Sequence, residues 1–262
     1  MKQVIVCLLG WFALASTALA EGQFKLLVLA APNKYHYEYI PVARESFEAL
    51  GKLHAFEFTW TNQPGALEGD LKPYCAIVLL NTSGEEFSDN QRKKFEEYVR
   101  GGGNVVVVHR AIIIAPNKWP WYEKMVGRSF TIHPMLQSAV VHTVDRTFPA
   151  TFGVPERWIW SDEWYEFANP HNVAINPVLN VDESTYDPTR IWPGQSARGM
   201  GREHPVAWHH RVEGARVFVT ALGHAVHMYR DPQYLSHLYG GIYWAATGKG
   251  QVNQAAPSTA IK

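Results

Sequence analysis

The sequence predicts an α/β fold built on a doubly wound, mostly parallel sheet with helices on both faces. Three observations carry that prediction. The apolar runs Phe24–Ala30, Ala76–Leu80 and Val105–Val108 show no polar alternation, as strands covered on both faces do. Segments with helical apolar spacing lie between them. The strand–helix order repeats three times, which builds parallel neighbours through crossovers.

The first strand ends in the loop from Ala31 to His36, and a helix is expected from about Tyr39 to Leu50. Its inner stripe is Val42, Ser46, Phe47 and Leu50, with Gly51 placed to cap it. The next strand carries Phe56, Phe58 and Trp60 on one face. The third strand ends in Asn81-Thr82-Ser83-Gly84, and Ser88 with Gln91 reads as a capping box. The helix that this box opens turns Phe95, Tyr98 and Val99 inward and stops at Gly101-Gly102-Gly103. The valine strand follows, ending on His109.

Residues 110 to 205 are less regular. A short helix is expected near Trp119–Val126, with strands near Ala139–Val144 and Val173–Val181. The remainder reads as long loops over one sheet edge. Order returns with the strand Ala215–Thr220, the loop Ala221-Leu222-Gly223-His224, and a helix from about Pro232 to Ala246. Leu235, Leu238, Tyr239, Ile242 and Tyr243 form its stripe, and Gly248 caps it.

Residues 1–20 have the pattern of a secretory signal peptide: Lys2, an apolar stretch from Val4 to about Leu14, and the small-x-small site Ala18-Leu19-Ala20 before Glu21. The expected organisation is a signal peptide over 1–20, one α/β domain over 21–248 and a flexible tail over 249–262, exported to the bacterial periplasm or beyond. No membrane anchor is expected. Cys7 falls in the leader, so Cys75 is the one mature cysteine. It is expected to be a buried spectator at the start of its strand. Lys plus Arg and Asp plus Glu number 24 each, and no basic stripe is interleaved with aromatics. Nucleic-acid binding therefore gains no support. Ten tryptophans exceed packing needs, so some are expected to line a groove.

In an open parallel sheet, ligands bind beyond the carboxyl ends of the strands. His36, Asn81, His109, Arg110 and His224 fall there, although they are far apart in sequence. The irregular middle adds His133, Asp162-Glu163-Trp164-Tyr165, Asp182 and His204. Each has a plain alternative as a solvated loop residue, a cap or an ion-pair partner, and twelve histidines guarantee bystanders. His54, His142, His227 and His237 read as surface positions. The chain has no G-x-G-x-x-G, phosphate loop, G-x-S-x-G or H-E-x-x-H. No motif requires a cofactor, while a divalent metal such as zinc is compatible with the His and Glu side chains.

These segments resemble the ThuA-like, trehalose-utilisation family. The resemblance rests on Asn81-Thr82-Ser83-Gly84, Phe95–Gly103, Val108-His109, Trp119-Pro120-Trp121-Tyr122, Phe130 and His133-Pro134. It continues with Asp162–Tyr165, Asp182–Tyr186, His204–Trp208, Thr220–His224 and Gly240–Ala245, in the family's order. It implies a flavodoxin-like fold similar to class I glutamine amidotransferases, and a link to sugar metabolism. Glutaminase relatives place a cysteine in the turn where this chain has His109, so thioester chemistry is not expected. Arg110 replaces the small residue usual after that histidine and would narrow the pocket or add an anion contact.

The reading that follows is an exported carbohydrate-active enzyme, a hydrolase or lyase acting on a glycoside or keto-glycoside. His109, Glu163, His224 and His133 are its catalytic candidates. His36, Asn81, Arg110, Trp121, Tyr165, Asp182 and His204 are its substrate-binding candidates. Trp119, Trp121, Trp164 and Tyr165 would form aromatic walls. The alternatives are a noncatalytic periplasmic sugar-binding protein and a metal-dependent hydrolase. The expected partner is a small carbohydrate, and the sequence leaves oligomeric state open.

Overall fold

A computed structural model describes residues 22–33 and 35–251. The expected signal peptide and most of the expected tail lie outside the described residues. In chain order the strands and helices are β1 (Lys25–Leu29), α1 (Ile40–His54), β2 (Glu57–Thr61), β3 (Ala76–Leu80), α2 (Asp89–Arg100) and β4 (Asn104–Val108). Next come α3 (Pro120–Val126), β5 (Ser129–Ile132), β6 (Gln137–Thr143), β7 (Arg157–Asp162), β8 (Glu166–Ala168) and β9 (Asn176–Asp182). The chain closes with β10 (Pro205–Val212), β11 (Ala215–Thr220) and α4 (Pro232–Thr247).

Nine strands form one mixed sheet in the order β2-β1-β3-β4-β11-β10-β9-β6-β7, and β5 pairs with β8 separately. The first five are parallel, from β2 through β11. Pairings from β11 outward to β7 are antiparallel. Residues read as loop therefore supply β7 and β10, the latter running antiparallel beside β11. Their polar and aromatic residues alternate imperfectly, so pairing with neighbours decides them where local pattern does not. The α/β class stands, with helices against both faces.

Two cores fill the space between sheet and helices. Leu26, Val28, Val106 and Val108 pack with α1 and α4 on one face. Leu27, Leu29, Val105 and Val107 pack with α2 and α3 on the other. The two-residue period of the strand thus buries both faces of the central strands. Ser88 and Gln91 form the expected capping box, and Gly248 caps α4 with a left-handed φ of 70°.

Three local expectations are corrected. α1 continues past Gly51 and ends on Ala55, whose φ of 51° closes the helix. Buried Phe56 and its stacking on Phe24 carry the chain onward at that point. Cys75 is exposed, because it precedes β3 at the end of the sheet opposite His109. His237 is buried: α4 turns it toward β11, where it bonds Thr220 and the Ala150 carbonyl. No helix among the described residues is long and apolar enough to cross a membrane.

Candidate functional site

The ends of β1, β4 and β11 bring three histidines together. His109 follows the last valine of β4 in a left-handed conformation, φ 52°, which turns the chain sharply and lifts the imidazole above the sheet. A non-glycine residue in that region is strained, and such strain concentrates where side chains must be aimed. Its Nδ1 donates to the Ala221 carbonyl at 2.7 Å. That bond leaves Nε2 as an acceptor in the neutral ring, and the Tyr165 hydroxyl lies 3.0 Å from it.

His36 is set by the loop after β1. Asn81, itself at φ 68°, donates from Nδ2 to the Ala31 and His36 carbonyls. Asn33 donates to the Asn81 side chain at 3.1 Å. Asn81 thus holds the His36 loop and does not line the cavity. His224 follows β11 through Gly223, and its Nδ1 lies 3.2 Å from His36 Nε2.

Glu163 joins these histidines from the far edge of the sheet. After β7 the chain crosses back over the strand ends, held by Asp162, whose buried carboxylate accepts from the amides of Gly223 (3.0 Å) and Glu163 (2.9 Å). Glu163 Oε1 lies 3.3 Å from His224 Nδ1. Its Oε2 lies 3.5 Å from His109 Nε2, 3.7 Å from His133 Nε2 and 4.0 Å from His36 Nε2. His133 donates from Nδ1 to the Pro134 carbonyl at 2.8 Å, so its neutral ring also turns a lone pair toward Oε2.

The electrostatics follow from this crowding. Burial, reinforced by His109, pushes His36 down to about 3. Burial likewise lowers His133. Burial works to raise Glu163, but attraction to the surrounding His109 and His224 outweighs it and holds the carboxyl well below its ordinary range. Burial works to lower His224, and Glu163 reverses it, so that ring is raised. Burial raises Asp162.

His36, His109, Glu163 and His224 each present one donor atom, all within 4.8 Å of one another. This buried set is capable of holding a divalent metal. Glu163 Oε2 is buried without a hydrogen-bond partner, surrounded by nitrogen lone pairs that only a cation or added proton reconciles with it. The His36–His224 contact of 3.2 Å and the His224–Glu163 Oε1 contact of 3.3 Å lie near the roughly 3.4 Å edge of a tetrahedron with bonds of about 2.1 Å. The three-nitrogen, one-oxygen donor set also suits zinc.

Above the cluster opens a cavity of about 920 Å³ whose lining includes His36, Arg110, His133, Glu163, Tyr165 and His224. Arg110 does not stand free in it: Glu86 pairs at 2.6 Å, the Asn81 carbonyl accepts at 2.9 Å, and Glu85 lies at 4.0 Å. His204 is fully buried behind Tyr165, donating from Nε2 to that residue's carbonyl at 2.9 Å, so it positions Tyr165 without reaching the cavity.

Besides Asn81 and His204, further site expectations are corrected. Trp121 lies at the opposite end of the sheet, its indole 3.3 Å from Glu213 and beside Arg100, because α3 runs down the side of the sheet. Asp182 lies three strands from β4 and pairs with His142 at 3.5 Å, while its other oxygen binds Ser184. Trp119 and Trp164 are buried, bonded to Glu96 and the Gln137 carbonyl. Of the expected walls, Tyr165 alone lines the cavity. Trp192, Phe130 and Gln195 line it as well. The Trp192-Pro193-Gly194 turn was the sequence signal for an aromatic held out from the core.

The family model for ThuA, trehalose utilisation, matches residues 25–245. A ThuA-like protein from Bacteroides uniformis superposes with a TM-score of 0.73 at 22% identity, covering 89% of this chain and 95% of that one. A ThuA-like protein from Parabacteroides merdae gives 0.68 at 23% identity, with 90% and 93% covered. A cold-adapted β-galactosidase from Rahnella sp. R3 gives 0.53 at 12% identity, covering 83% of this chain and 30% of that enzyme. At such identities these similarities speak for the fold. Among curated proteins none matches.

Proposed function

Since the chain belongs to the ThuA, trehalose-utilisation family, we propose that it is an exported carbohydrate-active enzyme that cleaves an oxidised glycoside by elimination at the His36/His109/Glu163/His224 cluster. The observation that carries this reading is the convergence of those four side chains beneath an open, sugar-sized cavity.

The carboxylates argue for elimination over two-carboxylate hydrolysis. A conventional glycosidase needs two free carboxyl groups held across the scissile bond. Asp162 is buried and occupied by backbone amides, Asp182 lies elsewhere, and Glu85 holds the Ala115 amide near Arg110. Glu163 stands among histidines. A keto-glycoside asks for less: its proton α to the carbonyl is acidic, and one base suffices to remove it.

His36, His109, Glu163 and His224 would hold a divalent cation. When bound, such a cation supplies Lewis-acid polarisation of a sugar carbonyl or hydroxyl oxygen. His133 is the base in this reading. Its Nδ1 proton is committed to Pro134, so Nε2 has a lone pair to accept the α-proton. The C–H electrons form the new double bond, the glycosidic C–O bond breaks, and the departing oxygen recovers the proton. Tyr165, kept protonated by a pKa that burial raises well above 10, stacks on the His109 ring with centroids 4.9 Å apart and so fixes its orientation. Phe130 and Ile113 limit water on the cavity wall.

The test is turnover of a 3-keto-glycoside by zinc-loaded and EDTA-treated protein, monitored by release of the aglycone. Turnover lost with EDTA, restored by zinc and abolished in His133→Ala is expected. A folded, zinc-loaded protein that releases nothing from keto-glycosides would sink the reading. Sugar binding without turnover would then favour the noncatalytic alternative. N-terminal sequencing of the exported protein should begin at Glu21.

A further inference from the structure

Trp192 stands at the cavity with 41% of its surface exposed. Its ring meets that of His133 at 88°, with centroids 5.2 Å apart, which puts an indole directly beside the cluster. Leaving such a side chain in water forgoes the stabilisation that burying it would bring.

The segment bearing Trp192 is anchored on both sides. Gln137 bonds Asp187 through both its amide nitrogen and oxygen, and the Met135 amide donates to the Arg190 carbonyl at 2.8 Å. Beyond the tryptophan, the Glu166 carboxylate accepts from the amides of Arg198 (3.1 Å) and Gly199 (2.7 Å). Glu183 accepts from those of Met200 and Gly201. Four backbone donors on two carboxylates make this a fixed wall, and a fixed aromatic surface binds with little ordering cost.

The charge around the wall constrains what rests against it. Among the described residues, Arg110 is the one Lys or Arg side chain lining the cavity, and it already faces Glu86 and Glu85. Among those described residues no spare cationic side chain awaits a phosphate or carboxylate. Uncharged polar groups are present in Asn33, Thr131 and Gln195. A pyranose presents a patch of C–H bonds on its face and hydroxyls around its rim. An aromatic plane with neutral donors and acceptors beside it complements both.

We infer that Trp192 is a stacking platform for a neutral pyranose ring, placing that ring against His133 and the cluster. The inference rests on the carbohydrate reading above and adds the residue and the charge class that select the sugar. The platform acts on binding, whereas the cluster acts on cation affinity and turnover.

Isothermal titration of zinc-loaded protein with trehalose, glucose and methyl α-glucoside tests it, with glucuronate as the anionic comparison. Trp192→Ala should weaken binding of the neutral sugars about tenfold, the upper range of one aromatic contact. Trp192→Phe should recover most of that loss, and both variants should bind zinc and melt as the parent does. Sugar binding undiminished in Trp192→Ala overturns the platform while leaving the carbohydrate reading intact. A parent protein that binds zinc but none of the neutral sugars overturns the platform, whereas keto-glycoside turnover alone decides the carbohydrate reading. Tighter binding of glucuronate than of glucose overturns the assignment to neutral rings.

Discussion

His109 donates from Nδ1 to the carbonyl oxygen of Ala221 at 2.7 Å, tying the turn after β4 to the turn after β11. One ring therefore both anchors a neighbouring strand end and aims Nε2 into the cluster. The two roles are separable. His109→Asn retains a donor near the Nδ1 position and removes the Nε2 atom. Zinc affinity should fall by at least about a hundredfold, beyond the usual cost of losing an outer-shell partner, with a smaller change in melting temperature. Calorimetric titration reads the first and thermal unfolding the second. Unchanged zinc affinity would remove His109 from the donor set.

Gly223 is the hinge on which His224 turns. Its φ is 130°, and a Cβ there would stand 2.6 Å from the Tyr234 hydroxyl oxygen and 3.0 Å from that of Tyr229. These hydroxyls donate to the Leu222 and Gly223 carbonyls, so they cannot retreat freely. Gly223→Ala is expected to cost roughly 1–3 kcal/mol in denaturant unfolding, from backbone strain and crowding together. It should also weaken zinc binding by displacing His224. A variant as stable as the parent would show that the turn relaxes.

Acid should destabilise the protein through histidines remote from the cluster. Burial pushes His237, His209 and His210 down to about 4 from an ordinary value of 6.5. Between those limits the unfolded chain binds more protons than the folded one, so stability falls as pH drops from 6.5 toward 4. Above 6.5 these groups contribute no slope. Each adds about 1.4 kcal/mol per pH unit inside the window. His237 donates to Ala150, and its other nitrogen accepts from Thr220. His237→Gln should flatten the profile by about one proton's slope. Stability measured by urea titration at several pH values checks this, and a profile as steep as the parent's would refute it.

Trp121 distinguishes packing from site roles. Its indole faces Glu213 and the Arg100 guanidinium, 5.7 Å over the ring. Trp121→Ala should lower stability by a few kcal/mol, as large-to-small changes in packed regions do. Zinc and sugar affinities should remain at parental values. A parallel loss of sugar binding would return Trp121 to the cavity.

Much of the scaffold was legible because its signals are local. Uninterrupted apolar runs mark β1, β3, β4 and β11, the Ser88–Gln91 box starts α2, and Gly248 stops α4. The position of His109 after four valines was readable for the same reason. The outer antiparallel strands were harder. Trp158, Trp160, His209 and His210 occupy strand positions in β7 and β10, and their pairing depends on partners tens of residues away.

The sequence by itself determined which side chains stand at the top of the central strands, because a strand's end and the residue after it are read from a few neighbours. Only the tertiary structure decided which of them meet. His36 and His224 lie 188 positions apart, yet their ring nitrogens are 3.2 Å apart, and Glu163 arrives from the far edge of the sheet by way of Asp162. The fate of the tryptophans was decided there too. Trp119 and Trp164 are buried while Trp192 borders the cavity, since burial depends on what packs opposite a side chain, and local composition does not contain that.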